Sequence, residues 1–253
     1  MFLNKLNIIS SIASSNLELW RGLTIKPAEI KPEKTLELYD IEGCPYCRLV
    51  RETLTQLDLD AVIYPCPRGG QRFRAIVEQL GGKLQFPFLV DANTGINMYE
   101  SYDIISYLMT TYGKRPAPSF LKVKFFDTIS SIASGMPRLT NGSTYRKAKT
   151  PEKLLELYSF ESSPFSRVVR ELLCEMQIPY RLHNVGKGEW RDMVIPVVRE
   201  AIMPDFSPTT EKRAKFHARA GKVQVPYLVD DNNNIAIFES EKIKQYLLKT
   251  YAL

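Results

Sequence analysis

Glu42-Gly43-Cys44-Pro45-Tyr46-Cys47-Arg48 lies between two segments of different periodicity. Ahead of it, Thr35-Leu36-Glu37-Leu38-Tyr39 alternates apolar and polar side chains, which predicts a strand. Behind it, Cys47, Val50, Leu54 and Leu57 recur at helical spacing, which predicts an amphipathic helix starting at the motif. A Cys-x-x-Cys at such a turn sets the first sulfur against the helix amides and dipole, where a thiolate is favoured. The second sulfur then lies one turn along, within disulfide reach.

The motif also belongs to a long internal repeat. Pro32-Glu33-Lys34 and Leu36-Glu37-Leu38-Tyr39 return as Pro151-Glu152-Lys153 and Leu155-Glu156-Leu157-Tyr158. Cys44-Pro45-Tyr46-Cys47-Arg48 returns as Ser163-Pro164-Phe165-Ser166-Arg167, and Val50-Arg51-Glu52 as Val169-Arg170-Glu171. Farther along, Gln85-Phe86-Pro87-Phe88-Leu89-Val90-Asp91 matches Gln224-Val225-Pro226-Tyr227-Leu228-Val229-Asp230, and Tyr99-Glu100-Ser101 matches Phe238-Glu239-Ser240. The offset grows from 119 to 139, which predicts a tandem duplication with a 20-residue insertion between Trp190 and Gly221. Two domains are expected, 1–115 with the cysteine motif and 116–253 with its serine counterpart.

Each copy reads as a leading helix, a strand, the motif helix, a second strand, a helix, two short strands and a last helix. In the first copy the middle helix shows Phe73, Ile76, Val77 and Leu80 on one face and stops at Gly81-Gly82. The last carries Ile104, Ile105 and Leu108. The order βαβαββα predicts an α/β fold with a mixed sheet, because parallel neighbours need crossovers.

Composition narrows the class. The apolar and charged fractions, 44% and 25%, are those of a soluble globular protein, and no run is long enough to span a membrane. The net charge of +6 is spread along the chain. Interleaved basic and aromatic residues such as Arg72-Phe73-Arg74 fit a helix surface better than a nucleic-acid platform, so no nucleic-acid partner is expected. Four cysteines are too few for a secreted disulfide scaffold and point to a reducing compartment, a cytoplasm or an organelle stroma. The apolar N-terminus is not read as a targeting peptide, because Ile9-Ser10-Ser11-Ile12-Ala13-Ser14 recurs as Ile129-Ser130-Ser131-Ile132-Ala133-Ser134. Cys44, Cys47 and Cys66 with His183 or His217 give one pair and scattered singles, short of the ligand sets of structural zinc, so no metal is expected. Cys66 reads as a buried thiol, with an odd loop, Pro65 to Gly70, that would bring it towards Cys44.

Three features together resemble the thioredoxin-like fold in its glutaredoxin and glutathione-transferase N-terminal form: Cys44-Pro45-Tyr46-Cys47, the Phe86-Pro87 step before a strand, and Glu100-Ser101 opening the last helix. The resemblance implies that Cys44 is the nucleophile and Cys47 the resolving thiol of a glutathione-linked thiol–disulfide oxidoreductase. It implies a cis-Pro87, with Phe86, Glu100 and Ser101 holding glutathione as co-substrate. Partners would be glutathione and protein or small-molecule disulfides. Glu42 departs from the pattern, since its charge two residues before Cys44 is expected to raise that thiol. Arg48 and Arg51 have counterparts beside the serines in Arg167 and Arg170, which points to packing or ion pairing rather than thiolate stabilisation.

The second copy admits two readings. By resemblance to serine-type glutathione transferases, Ser163 would face glutathione held by Val225, Pro226, Glu239 and Ser240. Alternatively it is a degenerate domain packed against the first, with Ser163 and Ser240 as helix N-caps. A transferase-like or non-catalytic glutathione-binding, redox-sensing protein is the corresponding alternative function.

Overall fold

The computed structural model describes residues 22–116, 141–194, 202–203 and 207–253. The leading helix expected in each copy falls outside them. The first half runs β1 (Leu36–Asp40), α1 (Pro45–Gln56), β2 (Ala61–Pro65), α2 (Arg74–Gly81), β3 (Phe88–Asp91), β4 (Ile96–Met98) and α3 (Ser101–Thr111). The second repeats it as β5 (Leu155–Ser159), α4 (Pro164–Glu175), β6 (Tyr180–Asn184), the short α5 (Trp190–Met193), α6 (Glu211–Ala220), β7 (Tyr227–Asp230), β8 (Ile235–Phe238) and α7 (Ser240–Tyr251). Both halves are thioredoxin-like: β1 is parallel to β2 and antiparallel to β3, and β5 stands in the same relation to β6 and β7.

The halves are joined through their sheets. β2 pairs antiparallel with β6, giving one eight-stranded sheet ordered β4-β3-β1-β2-β6-β5-β7-β8. The register matches Ala61 with Leu182, Val62 with Arg181 and Ile63 with Tyr180. Under the 119-residue offset Val62 and Arg181 are counterparts, so a pseudo-twofold axis passes between them. The pairing also removes two exposed strand edges that isolated domains would have to protect. Beneath it one continuous core runs through both halves, from Leu36, Leu54 and Ile63 to Leu173, Tyr180 and Leu247.

A charge cluster is buried on the same pseudo-axis. Arg51 Nε donates to Glu161 Oε2 at 3.0 Å, and Arg170 Nε donates to Glu42 Oε1 at 3.0 Å. Arg51 also pairs with Asp40, and Arg170 reaches Glu161 at 3.2 Å. Each arginine therefore bonds the carboxylate of the opposite half. The backbone follows the same symmetry: Glu161 N–H donates to Thr55 Oγ1 and Glu42 N–H to Cys174 Sγ, whose parent residues are counterparts. Arg51 and Arg170 thus do the ion pairing their duplication suggested, and the Arg51 charge, against that expectation, also helps to lower the Cys44 thiol pKa.

A second bridge lies at the outer end of the β2–β6 contact. His183 Nδ1 is 2.9 Å from Asp60 Oδ2 across the halves and Nε2 is 3.5 Å from Glu156, with Lys212 Nζ 2.8 Å from Asp60. Burial alone would lower the His183 pKa, but the hydrogen bond to Asp60 and the nearby Glu156 carboxylate outweigh it and raise it. His183 therefore stabilises the fold fully below its unfolded pKa of about 6.5, and the contribution fades as pH rises through the folded value. Urea midpoints of wild type and His183→Gln measured from pH 5 to 9 should differ most at the acid end; a constant difference would refute the linkage.

One helix packs differently from its sequence pattern. Of the apolar face read on α2, Phe73 and Val77 are buried, while Ile76 and Leu80 are exposed. The helix is short and packs on the aromatic cluster of Tyr39, Cys66, Phe73, Val77 and Phe88, with Tyr99 against its end. Gly82 ends it at φ +76, the left-handed conformation expected of a glycine stop.

Candidate active site

The sheet topology brings three separate stretches of the first half to one end. β1 leads out through Asp40 into the cysteine loop, and β3, antiparallel to it, begins there because Phe88 pairs with Tyr39. β4 returns to that end, with Met98 opposite Leu89, and delivers Tyr99-Glu100-Ser101 to the start of α3. The Phe86–Pro87 peptide is cis, as is its counterpart Val225–Pro226. Glu100 and Glu239 both hold positive φ, +64 and +73, a conformation costing on the order of 1–3 kcal/mol for a non-glycine residue. Gln85 Nε2 donates to Glu100 Oε1 at 2.5 Å, and the Arg74 guanidinium sits 5.1 Å above the Phe86 ring.

The two cysteines occupy unlike environments. Cys44 is the N-cap of α1 and half-buried, whereas Cys47 is fully buried one turn along. Both are free thiols. A hydrogen bond from Cys47 does most to lower the Cys44 pKa, and the N–H groups of Cys47 and Tyr46 add to it, bringing it to about 7 against the opposing effect of burial. Burial, and hydrogen bonding to Cys44, push Cys47 well above the ordinary thiol range. The pair is therefore poised as one attacking and one reserve sulfur.

The expectation that Glu42 would raise Cys44 is not met. Its side chain is buried in the ion cluster against Arg170 and Arg51. Burial pushes Glu42 itself up to about 7, with Glu161 and Asp40 adding to the shift. Cys66 does not join the site either. It packs among Tyr39, Phe73 and Phe88 and donates to the Tyr64 carbonyl at 3.4 Å. Among the described residues no group of three His, Cys, Asp or Glu is placed to hold a metal ion, and no helix is long and apolar enough to cross a membrane.

The serine counterpart is closed. Ser163 is 2% exposed, and its Oγ accepts from Ser166 N–H at 3.2 Å as the N-cap of α4. Ser162 is fully buried where its counterpart Gly43 is exposed, and Ser162 N–H donates to the Gly22 carbonyl. Ser240, read as an N-cap, is instead the first helical residue of α7, with Glu239 as the cap. Glu239 is exposed and pairs with Lys242 at 2.9 Å, while Val225 and Pro226 hold the same chain positions as Phe86 and Pro87. Ser166 Oγ is buried and makes no hydrogen bond among the described residues. Replacing such a hydroxyl by hydrogen removes an uncompensated desolvation, so Ser166→Ala should stabilise the protein by about 1 kcal/mol. A urea titration checks this; a lower midpoint would contradict it.

The description of the glutathione S-transferase N-terminal domain as a family matches residues 38–116 and again residues 157–253. The chain belongs to that family. It carries the family's domain twice, and the two matches coincide with the two βαβαββα units. A solved glutathione transferase of Bombyx mori is similar at 27% identity over 34% of this chain and 39% of that chain, with a TM-score of 0.31. This chain thus covers well under two thirds of that protein's length. No curated protein sequence matches.

One contributor to the site had no signal in the motifs. The segment Asn141-Gly142-Ser143-Thr144-Tyr145, which precedes the second copy, crosses to the first half and lies against Gly43. Arg68 N–H donates to Ser143 O at 2.7 Å and Tyr145 N–H to Arg68 O at 2.9 Å, forming a parallel bridge. The signal available was the repeat itself: Gly22-Leu23-Thr24 and Gly142-Ser143-Thr144 stand at equivalent places, and Thr24 makes the same bridge to Lys187.

Proposed function

We propose that this chain is a glutathione-linked thiol–disulfide oxidoreductase of the glutaredoxin kind, working through Cys44 and Cys47. The observation that carries the reading is the asymmetry between the two motifs. Cys44 is part-exposed at a helix N-terminus with its pKa at about 7, whereas Ser163 of the serine copy is buried.

The chemistry follows from that sulfur. The Cys44 thiolate attacks the glutathione sulfur of a mixed disulfide, forming a Cys44–glutathione disulfide and expelling the partner as its thiolate. A second glutathione thiolate then attacks the glutathione sulfur of that adduct, releasing oxidised glutathione and restoring Cys44. Alternatively Cys47, after losing its proton, attacks Cys44 and releases reduced glutathione, closing the internal disulfide. At pH 7 a thiol of pKa 8.5 is about 3% ionised and one of pKa 7 about half, roughly a 16-fold gain. With a Brønsted slope of about 0.5 each thiolate is roughly sixfold less nucleophilic, so attack gains about threefold. The same lowered pKa makes Cys44 a better leaving group, which favours exchange over a lasting disulfide.

Phe86, Pro87, Glu100 and Ser101 meet at the Cys44 end of the sheet, and we assign them the tripeptide: the Phe86 backbone to its cysteinyl part and the start of α3 to its γ-glutamyl end. The polar groups of Glu100 and Ser101 favour an amino acid headgroup, and helix N-termini favour its carboxylate. Ser101→Ala should raise the glutathione KM several-fold with little change in kcat. Steady-state kinetics over a glutathione series tests this; an unchanged KM would remove Ser101 from the site. The transferase alternative through Ser163 has the burial of that hydroxyl against it.

A further inference from the structure

We propose that Glu161, which belongs to the serine half, is a positioning residue for Cys44: it grips one edge of the Arg51 guanidinium and offsets its charge, while the other edge holds the loop that carries the sulfur. This rests on the reading of Cys44 as the attacking sulfur. It extends that site into the half that has a serine at the equivalent place.

The geometry runs from Cys44 inwards. Cys44 N–H donates to the Ile41 carbonyl at 2.9 Å, so the loop from Asp40 to Cys44 turns back on itself. Arg51, one turn beyond Cys47 on α1, spans that loop. Its guanidinium pairs with the Asp40 carboxylate and donates to the Glu42 carbonyl at 3.0 Å, one contact on each side of Ile41. The remaining edge is bidentate to Glu161: Nε lies 3.0 Å from Oε2, and a terminal nitrogen lies 3.2 Å from Oε1. An arginine fork matched to a carboxylate in this way is fixed in plane as well as in position. Glu161 is itself anchored to α1, because its N–H donates to Thr55 Oγ1 at 3.2 Å.

The charges around this grip make Glu161 a constant. Arg48 and Arg51 of α1 and Arg167 and Arg170 of α4 all act on it, with Arg170 at 3.2 Å and Arg48 at 3.9 Å. Burial alone would raise its pKa, but Arg170, Arg51 and Arg48 bring it down to about 2. It is therefore a fixed negative charge wherever Cys44 titrates, unlike its counterpart Glu42 at about 7. The Arg51 charge in turn acts on Cys44. Asp40, Glu42 and Glu161 thus share one guanidinium with the thiolate, and Glu161 is the member supplied by the other half. The equivalent Arg170 holds the serine loop likewise, donating to the Glu161 carbonyl at 2.9 Å and to Ser159 Oγ where Arg51 has Asp40. That loop carries the buried Ser163, so the reciprocal grip serves no sulfur.

The test reads Cys44 directly, by the pH profile of its alkylation with iodoacetamide in the full chain. Glu161→Gln keeps the length of the side chain and an acceptor oxygen for Arg51 Nε but removes the charge. Withdrawing a negative charge favours the thiolate, so the midpoint should move about half a pH unit lower. The drop is limited because Glu42, no longer raised by Glu161, ionises more readily. Loosening of the loop would move the midpoint the other way, towards the ordinary thiol range of about 8.5. In an Arg51→Met background the same substitution should leave the midpoint unchanged, since Glu161 acts through that guanidinium. His183→Gln, which weakens the contact between the halves away from the ion cluster, should not move it. An unchanged or raised midpoint in Glu161→Gln, an equal drop without Arg51, or an equal drop in His183→Gln would each overturn the proposal. If Arg51→Met does not fold, the sign of the Glu161→Gln shift decides. Alkylation needs no disulfide: a wild type that turns over none, yet shows these shifts, would sink the oxidoreductase reading and leave the role of Glu161 standing.

Discussion

Cys44→Ser is expected to abolish turnover of a glutathione mixed disulfide, a loss of at least about 10³-fold, because a serine hydroxyl is not ionised near neutrality. Cys47→Ser is expected to keep much of the activity, since glutathione itself resolves the adduct. The more informative variant is Cys47→Ala. The hydrogen bond from Cys47 is the largest influence holding the Cys44 pKa at about 7. Without that donor the Cys44 pKa should rise towards the ordinary thiol range of about 8.5, while the N–H groups of the helix still lower it somewhat. The sign is fixed: alkylation by iodoacetamide at pH 6 should slow, and the midpoint of its pH profile should move to higher pH. A profile unchanged in Cys47→Ala would show that the helix amides and the Arg51 charge set the thiolate without the Cys47 hydrogen bond, and retained turnover by Cys44→Ser would remove the proposed function.

Arg170→Met should cost about 3–5 kcal/mol, because removing one partner strands buried carboxylates. Arg170 is 1% exposed and bonds Glu42, Glu161, Ser159 Oγ and the Phe160 and Glu161 carbonyls. Its loss leaves Glu42 paired with Arg51, which is already shared with Asp40 and Glu161, with the Arg167 charge acting on it as well. Adding Glu42→Gln to Arg170→Met should recover part of the loss, since it removes the charge left without a full complement. Equilibrium urea denaturation of the two variants reads this directly. The continuous core predicts one further property of these curves: circular dichroism and tyrosine fluorescence should report a single coincident transition for both halves. Two separated transitions would mean that the halves fold as independent units in spite of the shared sheet.

Much of the architecture was open to reading in the chain itself. Period-two alternation at Leu36–Tyr39, helical spacing from Cys47 to Leu57 and the glycine stop after α2 each depend on a few neighbouring residues, and each element lies within a residue or two of its reading. The duplication supplied the second half at no further effort. It also supplied a control: Arg51 and Arg170 persist whether cysteine or serine stands beside them, and both are bound in the ion cluster. The repeat even carried residues whose role was not read, Asp91 and Asp230. Each accepts from two tyrosines in or capping the last helix of its half, Tyr107 with Tyr112 and Tyr246 with Tyr251.

By itself, then, the sequence determined the βαβαββα order, its doubling and the place of the dithiol, because these follow from local periodicity and from residue identity. Only the tertiary structure decided what the charge of Glu42 does, that Cys44 of the first motif is part-exposed while the serines of the second are buried, and that Asn141 and Ser143 lie against Gly43. Those outcomes depend on the antiparallel contact of β2 with β6, a pairing of residues about 120 positions apart across a pseudo-axis. Hydrogen-bonding edges carry no sequence mark of the strand they will meet. Once they meet, desolvation and opposing guanidinium groups fix the charge states, and the same side chain that would have hindered a thiolate in isolation is spent in holding two halves together.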